Sequence, residues 1–202
     1  FTAGWQIAPA LATGNGIVLK PSELTPLTSL ALAAIGEAAG LPKGLVNVLS
    51  GFGHTTGQAA LNAPEVKKVV FVGSVPTGRL IAEAAARRLI PAVLELGGKS
   101  ANIVFADADL ERAALGAQAA IFSGAGQSCV AGSRLLVERS IHDRFVDMVA
   151  AGAAKIRLGD PADPETEVGP INNRRQFERD QALVDESVAS GAKLNTGGAE
   201  DR

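Results

Sequence analysis

The sequence predicts an α/β fold of two lobes, each built on parallel strands, and three observations carry that reading. Short β-rich runs alternate with helical periodicities, glycine-rich turns join strand ends to helix starts, and the alternation restarts near residue 98. Ile17–Leu19 is the first strand. Leu27, Leu30, Ala31, Ala34, Ile35 and Ala38 then recur at helical spacing, with Thr25 as the expected N-cap, Pro26 at the first helical position, and Gly40 and Pro42 as the stop. Val46–Leu49, Val69–Val72 and Ala92–Leu96 read as further strands separated by helices. In the second lobe Ala101–Phe105 is a strand, and Leu110, Ala113, Ala114, Ala117 and Ile121 share one helix face. A strand at Leu135–Val137 precedes a helix carrying Ile141, Phe145, Met148, Val149, Gly152 and Ile156, for which Ser140 and Asp143 predict a capping box. Gly159–Pro170, rich in Asp, Glu and Pro, reads as a surface loop. There is no repeat of fixed period and no low-complexity tract.

Composition narrows the function classes. With 47% hydrophobic and 20% charged residues and a formal charge of −2, the 202 residues describe a globular chain with enough apolar content for a core. Arg174, Arg175 and Arg179 occur with Glu178 and Asp180 in a polar helical stretch, a solvated face rather than a nucleic-acid surface. No apolar run is long enough to cross a bilayer, and the apolar start around Ala8–Ala12 lacks the basic region of a leader. Neither a nucleic-acid nor a membrane partner is expected. A single thiol and no secretion signal point to the cytoplasm. The chain starts at Phe1 instead of a methionine and ends in the turn-like Gly197–Arg202, so it is expected to be a piece of a longer protein.

Cys129 is the only cysteine, set in Gly126-Gln127-Ser128-Cys129-Val130-Ala131-Gly132. With no second cysteine for an intrachain disulfide and too few histidines for a metal site, it is either filler or a nucleophile. A reactive thiol needs nearby N–H groups and a partner that handles protons. Glu95, at the carboxyl end of an apolar strand where the lobes join, is the candidate partner, and partial burial would raise its pKa towards that of a useful base. Its alternative role is a salt bridge. His54 and His142 are read as solvent-facing or satisfied. Gly98-Lys99-Ser100 resembles the tail of a P-loop, but Val93 stands where that motif needs glycine. Gly51–Gly57 follows a strand and opens a helix, yet its third glycine is one residue late for a dinucleotide fingerprint, which leaves cofactor contact and a plain βα turn both open. Gly73-Ser74-Val75-Pro76-Thr77-Gly78 is a second such turn, suited to a pyrophosphate by its N–H groups and helix dipole, or glycine-rich for steric reasons.

Taken together, Glu95-Leu96-Gly97-Gly98-Lys99 and Gly126-Gln127-Ser128-Cys129 resemble the active-site signatures of the aldehyde dehydrogenase superfamily. The similarity extends over Pro9–Asn15, Lys20–Glu23, Gly73-Ser74, Asp107–Asp109 and Gly169-Pro170. The resemblance implies a dinucleotide-binding lobe over 1–97 and a catalytic lobe over 98–202, both incomplete. It implies that Cys129 is the nucleophile and Glu95 the general base, facing a shared cavity. Lys20 and Glu23 would hold the adenosine ribose, Gly53 and Gly57 would line the adenine side, and Gly73, Ser74 and Gly78 would form the pyrophosphate turn, with Ser74 in contact. The backbone at Leu96 would face the nicotinamide. The implied reaction oxidises a small-molecule aldehyde to a carboxylic acid with NAD, or with NADP, through a thiohemiacetal and a thioester on Cys129. Glu23 favours NAD because a carboxylate repels a ribose 2′-phosphate. The alternatives are a CoA-acylating enzyme and a non-catalytic nucleotide-binding or assembly fragment. The family's oxyanion asparagine, its Glu-x-Phe-Gly-Pro segment and the elements that make the parent a homo-oligomer would lie outside this chain, so the isolated piece need not be active.

Overall fold

The computed structural model describes residues 2–198, so Phe1 and residues 199–202 of the expected terminal turn lie outside the described residues. The chain divides into two compact units between Leu96 and Gly97.

The first unit contains two parallel strand pairs. β1 (Ile17–Leu19) lies beside β2 (Val46–Val48), with α2 (Leu27–Ala38) as the crossover that a parallel pair requires. β3 (Val69–Gly73) lies beside β4 (Ala92–Leu96), joined by α4 (Val75–Arg87), and Val72 faces Glu95 while Gly73 faces Leu96. α1 (Thr2–Ala12) precedes β1, and the short α3 (Gln58–Asn62) precedes β3. α1 carries Pro9 inside it; proline has no amide to donate, so the sequence pattern there does not announce a helix. Arg88, just past α4, donates through its guanidinium to the carbonyls of Leu61 and Val66 and ties α4 to the α3–β3 connection.

α2 forms where its spacing predicts, but it turns the other way. Leu27, Leu30 and Ile35 are 77%, 40% and 62% exposed, whereas Ser29 is buried and Leu32, Ala33 and Gly36 are half-buried. The helix is apolar nearly all round, so periodicity alone could not choose its inner face. Gly36 on the inner side packs closely on the chain that follows the helix: a Cβ there would stand 3.0 Å from Leu41 Cδ1. The Thr25 cap is also corrected, because the helix begins at Leu27, Pro26 is already helical (φ −83°, ψ −23°), and no side chain caps it.

In the second unit β5 (Ala101–Val104) pairs in parallel with β6 (Arg134–Val137) through the crossover α5 (Leu110–Phe122). α5 packs on α6 (His142–Ala153), and Val104, Ala114, Ala117 and Phe145 form the buried centre, surrounded by Leu110, Leu135, Met148 and Val149. Phe145 has no accessible surface, a burial that contributes about 1.5–3 kcal/mol. Both predicted apolar faces point inwards here. Asp109 caps α5 by accepting the Arg112 amide at 3.2 Å, and Asn173 caps α7 (Arg174–Ala189) by accepting the Gln176 amide at 3.0 Å.

The capping box expected at α6 is not formed. A 3₁₀ turn at Arg139–Ile141 intervenes, Ser140 Oγ donates instead to Glu138 Oε1 at 2.7 Å, and Asp143 pairs with His142 at 2.8 Å. Gly159–Pro170 is irregular and mostly exposed, with one parallel bridge between Leu158 and Val168. Among the described residues no helix is long and apolar enough to cross a membrane.

Candidate functional site

The carboxyl ends of the strands in the first unit gather polar and glycine-rich segments. Lys20 follows β1, and its Nζ donates to the carbonyls of Pro21 at 2.7 Å and Gly51 at 2.8 Å, with Glu23 Oε2 at 3.8 Å. The ammonium is thus fixed across the ends of β1 and β2. Its methylenes run alongside Gly57, where a Cβ would meet Lys20 Cδ at 3.3 Å. Gly51 takes φ +137° and turns the chain so tightly that a side chain there would collide with Thr56, a geometry that requires glycine. Gly53–Gly57 is a π-helical turn that runs directly into α3, and the rings of Phe52 and His54 stack at its entrance with centroids 5.5 Å apart. His54 is exposed.

Gly73 and Ser74 join β3 to α4. Ser74 is the N-cap, accepting the Thr77 amide at 3.4 Å and donating its hydroxyl to Thr77 Oγ1 at 3.0 Å. Its hydroxyl is therefore already engaged and would have to rotate to donate to an anion. Gly78 is buried under Leu96, whose Cδ2 would lie 2.7 Å from a Cβ at that position. A Cβ at Gly73 would likewise press on the Phe71 ring. The two glycines thus have steric reasons of their own.

Glu95 sits one residue before the end of β4 and is exposed, which corrects the expectation of partial burial. Among the described residues no ion pair involves it, so the salt-bridge alternative finds no partner there. Cys129 lies in the second unit, in the turn between α5 and β6, and its thiol is free and exposed. The turn begins with Gly124, Ala125 and Gly126 at φ +62°, +55° and +72°, three left-handed residues in succession. For Ala125 that conformation costs about 1–2 kcal/mol. Beyond the cysteine, the Ala131 amide bonds to the Ser128 carbonyl at 3.2 Å and the Gly132 amide to the Ala120 carbonyl at 3.0 Å. A groove of about 560 Å³ beside β5 includes Val130 and Gly132, but neither Cys129 nor Glu95 lines it. Among the described residues no cluster of three or more His, Cys, Asp or Glu side chains could hold a metal ion.

The sequence model of the aldehyde dehydrogenase family matches residues 1–202. The chain belongs to the aldehyde dehydrogenase family. It is 47% identical over 195 residues to retinal dehydrogenase 2 of Mus musculus, covering 96% of this chain and 38% of that protein. It is 47% identical over 196 residues to betaine aldehyde dehydrogenase of Mesorhizobium japonicum, covering 97% of this chain and 40% of that protein. The solved structure of PnpE in complex with nicotinamide adenine dinucleotide superposes with a TM-score of 0.96 at 48% identity, over 100% of this chain and 42% of that one. Betaine aldehyde dehydrogenase from Staphylococcus aureus in complex with NAD+ gives a TM-score of 0.95 at 42% identity, over 99% of this chain and 40% of that one. The chain thus spans about two fifths of the length of these aldehyde dehydrogenases.

Two features of the site escaped the sequence reading. The Gly51 carbonyl that receives Lys20 is a backbone group with no side-chain signal, although the glycine itself was visible. Gln127 accepts the Asn172 amide at 3.2 Å, a contact across 45 residues that no local pattern announces.

Proposed function

We propose that the full-length protein oxidises an aldehyde to a carboxylic acid with NAD, using Cys129 as nucleophile and Glu95 as general base. The observation that supports this most is the family match over the whole chain, joined by close structural likeness to relatives solved with bound NAD. Residues 1–97 would serve as the NAD-binding part and 98–202 as the catalytic part.

The donor set of the first unit suits a dinucleotide. Lys20 is a fixed cation beside a carboxylate, and the start of α4, a thirteen-residue helix, offers backbone N–H groups and a positive dipole end to a pyrophosphate. Lys20 and Glu23 would bind the adenosine ribose, Gly53 and Gly57 the adenine side, Ser74 with the Gly73–Gly78 turn the pyrophosphate, and the Leu96 backbone the nicotinamide. The exposed Glu23 favours NAD over NADP.

The Cys129 thiolate adds to the aldehyde carbon, forming a carbon–sulfur bond and a tetrahedral oxyanion. NAD, when bound, supplies the acceptor for the hydride that this adduct releases. Free thiols are only a few per cent ionised near neutrality, so a base that takes the Cys129 proton raises the reactive fraction. Cys129 is then left as a thioester. Glu95 withdraws a proton from water, the hydroxide adds to the thioester carbon, and the carbon–sulfur bond breaks to return the thiolate and give the acid.

Mixing the full-length protein with an aldehyde and NAD should produce NADH and free carboxylic acid without coenzyme A. A Cys129→Ser variant with full turnover, or a product that forms only as an acyl-CoA, would overturn the reading.

A further inference from the structure

We propose that Gln127 is a positioning residue for Cys129, tethering the cysteine turn to the segment that leads into α7; this rests on Cys129 being the nucleophile. Gln127 Oε1 accepts the Asn172 amide at 3.2 Å, and the Gln127 amide donates to the Gly124 carbonyl at 3.1 Å. Both ends of this residue are thus fixed, two positions before the sulfur.

The two flanks of the turn are held differently. Downstream, Gly132 is bonded to Ala120, and a Cβ on it would meet Ala120 and Asn102 at 3.3 Å, so close packing on α5 and β5 locks that side. Upstream the chain passes through the strained left-handed run, and there the Gln127 side chain supplies a long-range hold. The anchor Asn172 adjoins Asn173, the N-cap of the sixteen-residue α7. Strain upstream of a functional group persists only where surrounding structure fixes it. The tether touches no substrate. It limits the positions open to the sulfur, so it acts on the reaction of the thiolate and not on nucleotide binding.

The test uses the full-length protein. Gln127→Met keeps the length of the side chain but removes the acceptor, and Gln127→Glu keeps an acceptor oxygen. Each variant is assayed at its own pH optimum, which separates the added charge from the hydrogen bond. Gln127→Met is expected to lower kcat and the rate of Cys129 alkylation by iodoacetamide each about tenfold, with the NAD dissociation constant unchanged, and Gln127→Glu to recover most of both. Should Gln127→Met not fold, Gln127→Ser, too short to reach Asn172, takes its place. Wild-type kcat and alkylation in the acceptor-free variant, or a Gln127→Glu variant no better than it, overturns the tether. Full turnover by Cys129→Ser overturns the nucleophile instead, so the two failures are distinguishable.

Discussion

The buried Gly78 lies directly under the side chain of Leu96, so that a Cβ there would stand 2.7 Å from Leu96 Cδ2. The contact joins the first turn of α4 to the end of β4, next to Glu95. Alanine at this position gains helix propensity of about 1 kcal/mol, and the end of the leucine side chain can give way, so Gly78→Ala is expected to be near neutral. Gly78→Val overfills the contact and is expected to cost about 1–3 kcal/mol. Denaturant midpoints of the two variants check the difference.

Lys20 bridges two strand ends through the carbonyls of Pro21 and Gly51. Hydrogen bonds from a charged donor contribute about 1.5–3 kcal/mol. If Lys20 also donates to the ribose as proposed, Lys20→Met removes that donor and is expected to weaken NAD binding by roughly tenfold or more, read by isothermal titration. Unchanged affinity would remove Lys20 from the ribose site.

Glu95→Gln preserves shape and removes the proposed base. Steady-state turnover is expected to fall by about 10²–10⁴-fold. If the variant still acylates, rapid mixing shows a burst of NADH followed by a slow steady rate, and mass spectrometry finds the acyl group on Cys129. Wild-type turnover in Glu95→Gln would exclude the base assignment.

Glu138 is held below the ordinary glutamate range, first by the Ser140 hydroxyl and then by the Ala106 amide, each donating to its carboxylate. A depressed folded pKa means that its stabilisation is present above the unfolded value, about 4.3, and is lost as the pH falls through the lower folded value. Tm measured from pH 6 down to pH 3 should fall less steeply for Glu138→Gln than for the wild type. Parallel curves would show that the clamp between the ends of β5 and β6 carries no linkage.

What the sequence made legible was what repeats locally. The apolar runs of β3 and β4 and the faces of α5 and α6 are visible because one side of each helix is polar and the other is not. α2 lacks that contrast, and neither its inner face nor the close approach of Gly36 to Leu41 can be read from its periodicity. As a cap, Ser140 Oγ would accept an amide of α6, but it donates to the Glu138 carboxylate instead. The motif around Cys129 was plain, yet the bond from Gln127 to Asn172 links segments far apart in sequence and no spacing rule encodes it. Glu95 stood out as a carboxylate in an apolar strand, but its exposure depends on what else covers that strand end.

Ala125 holds a backbone shape that glycine would adopt at no cost. Its methyl group narrows the conformations open to the loop, and with Cys129 as the proposed nucleophile that would leave less disorder for an arriving substrate to remove. Replacing it with glycine would relieve the folded chain and loosen the loop at once, trading thermal endurance upward against speed of reaction downward.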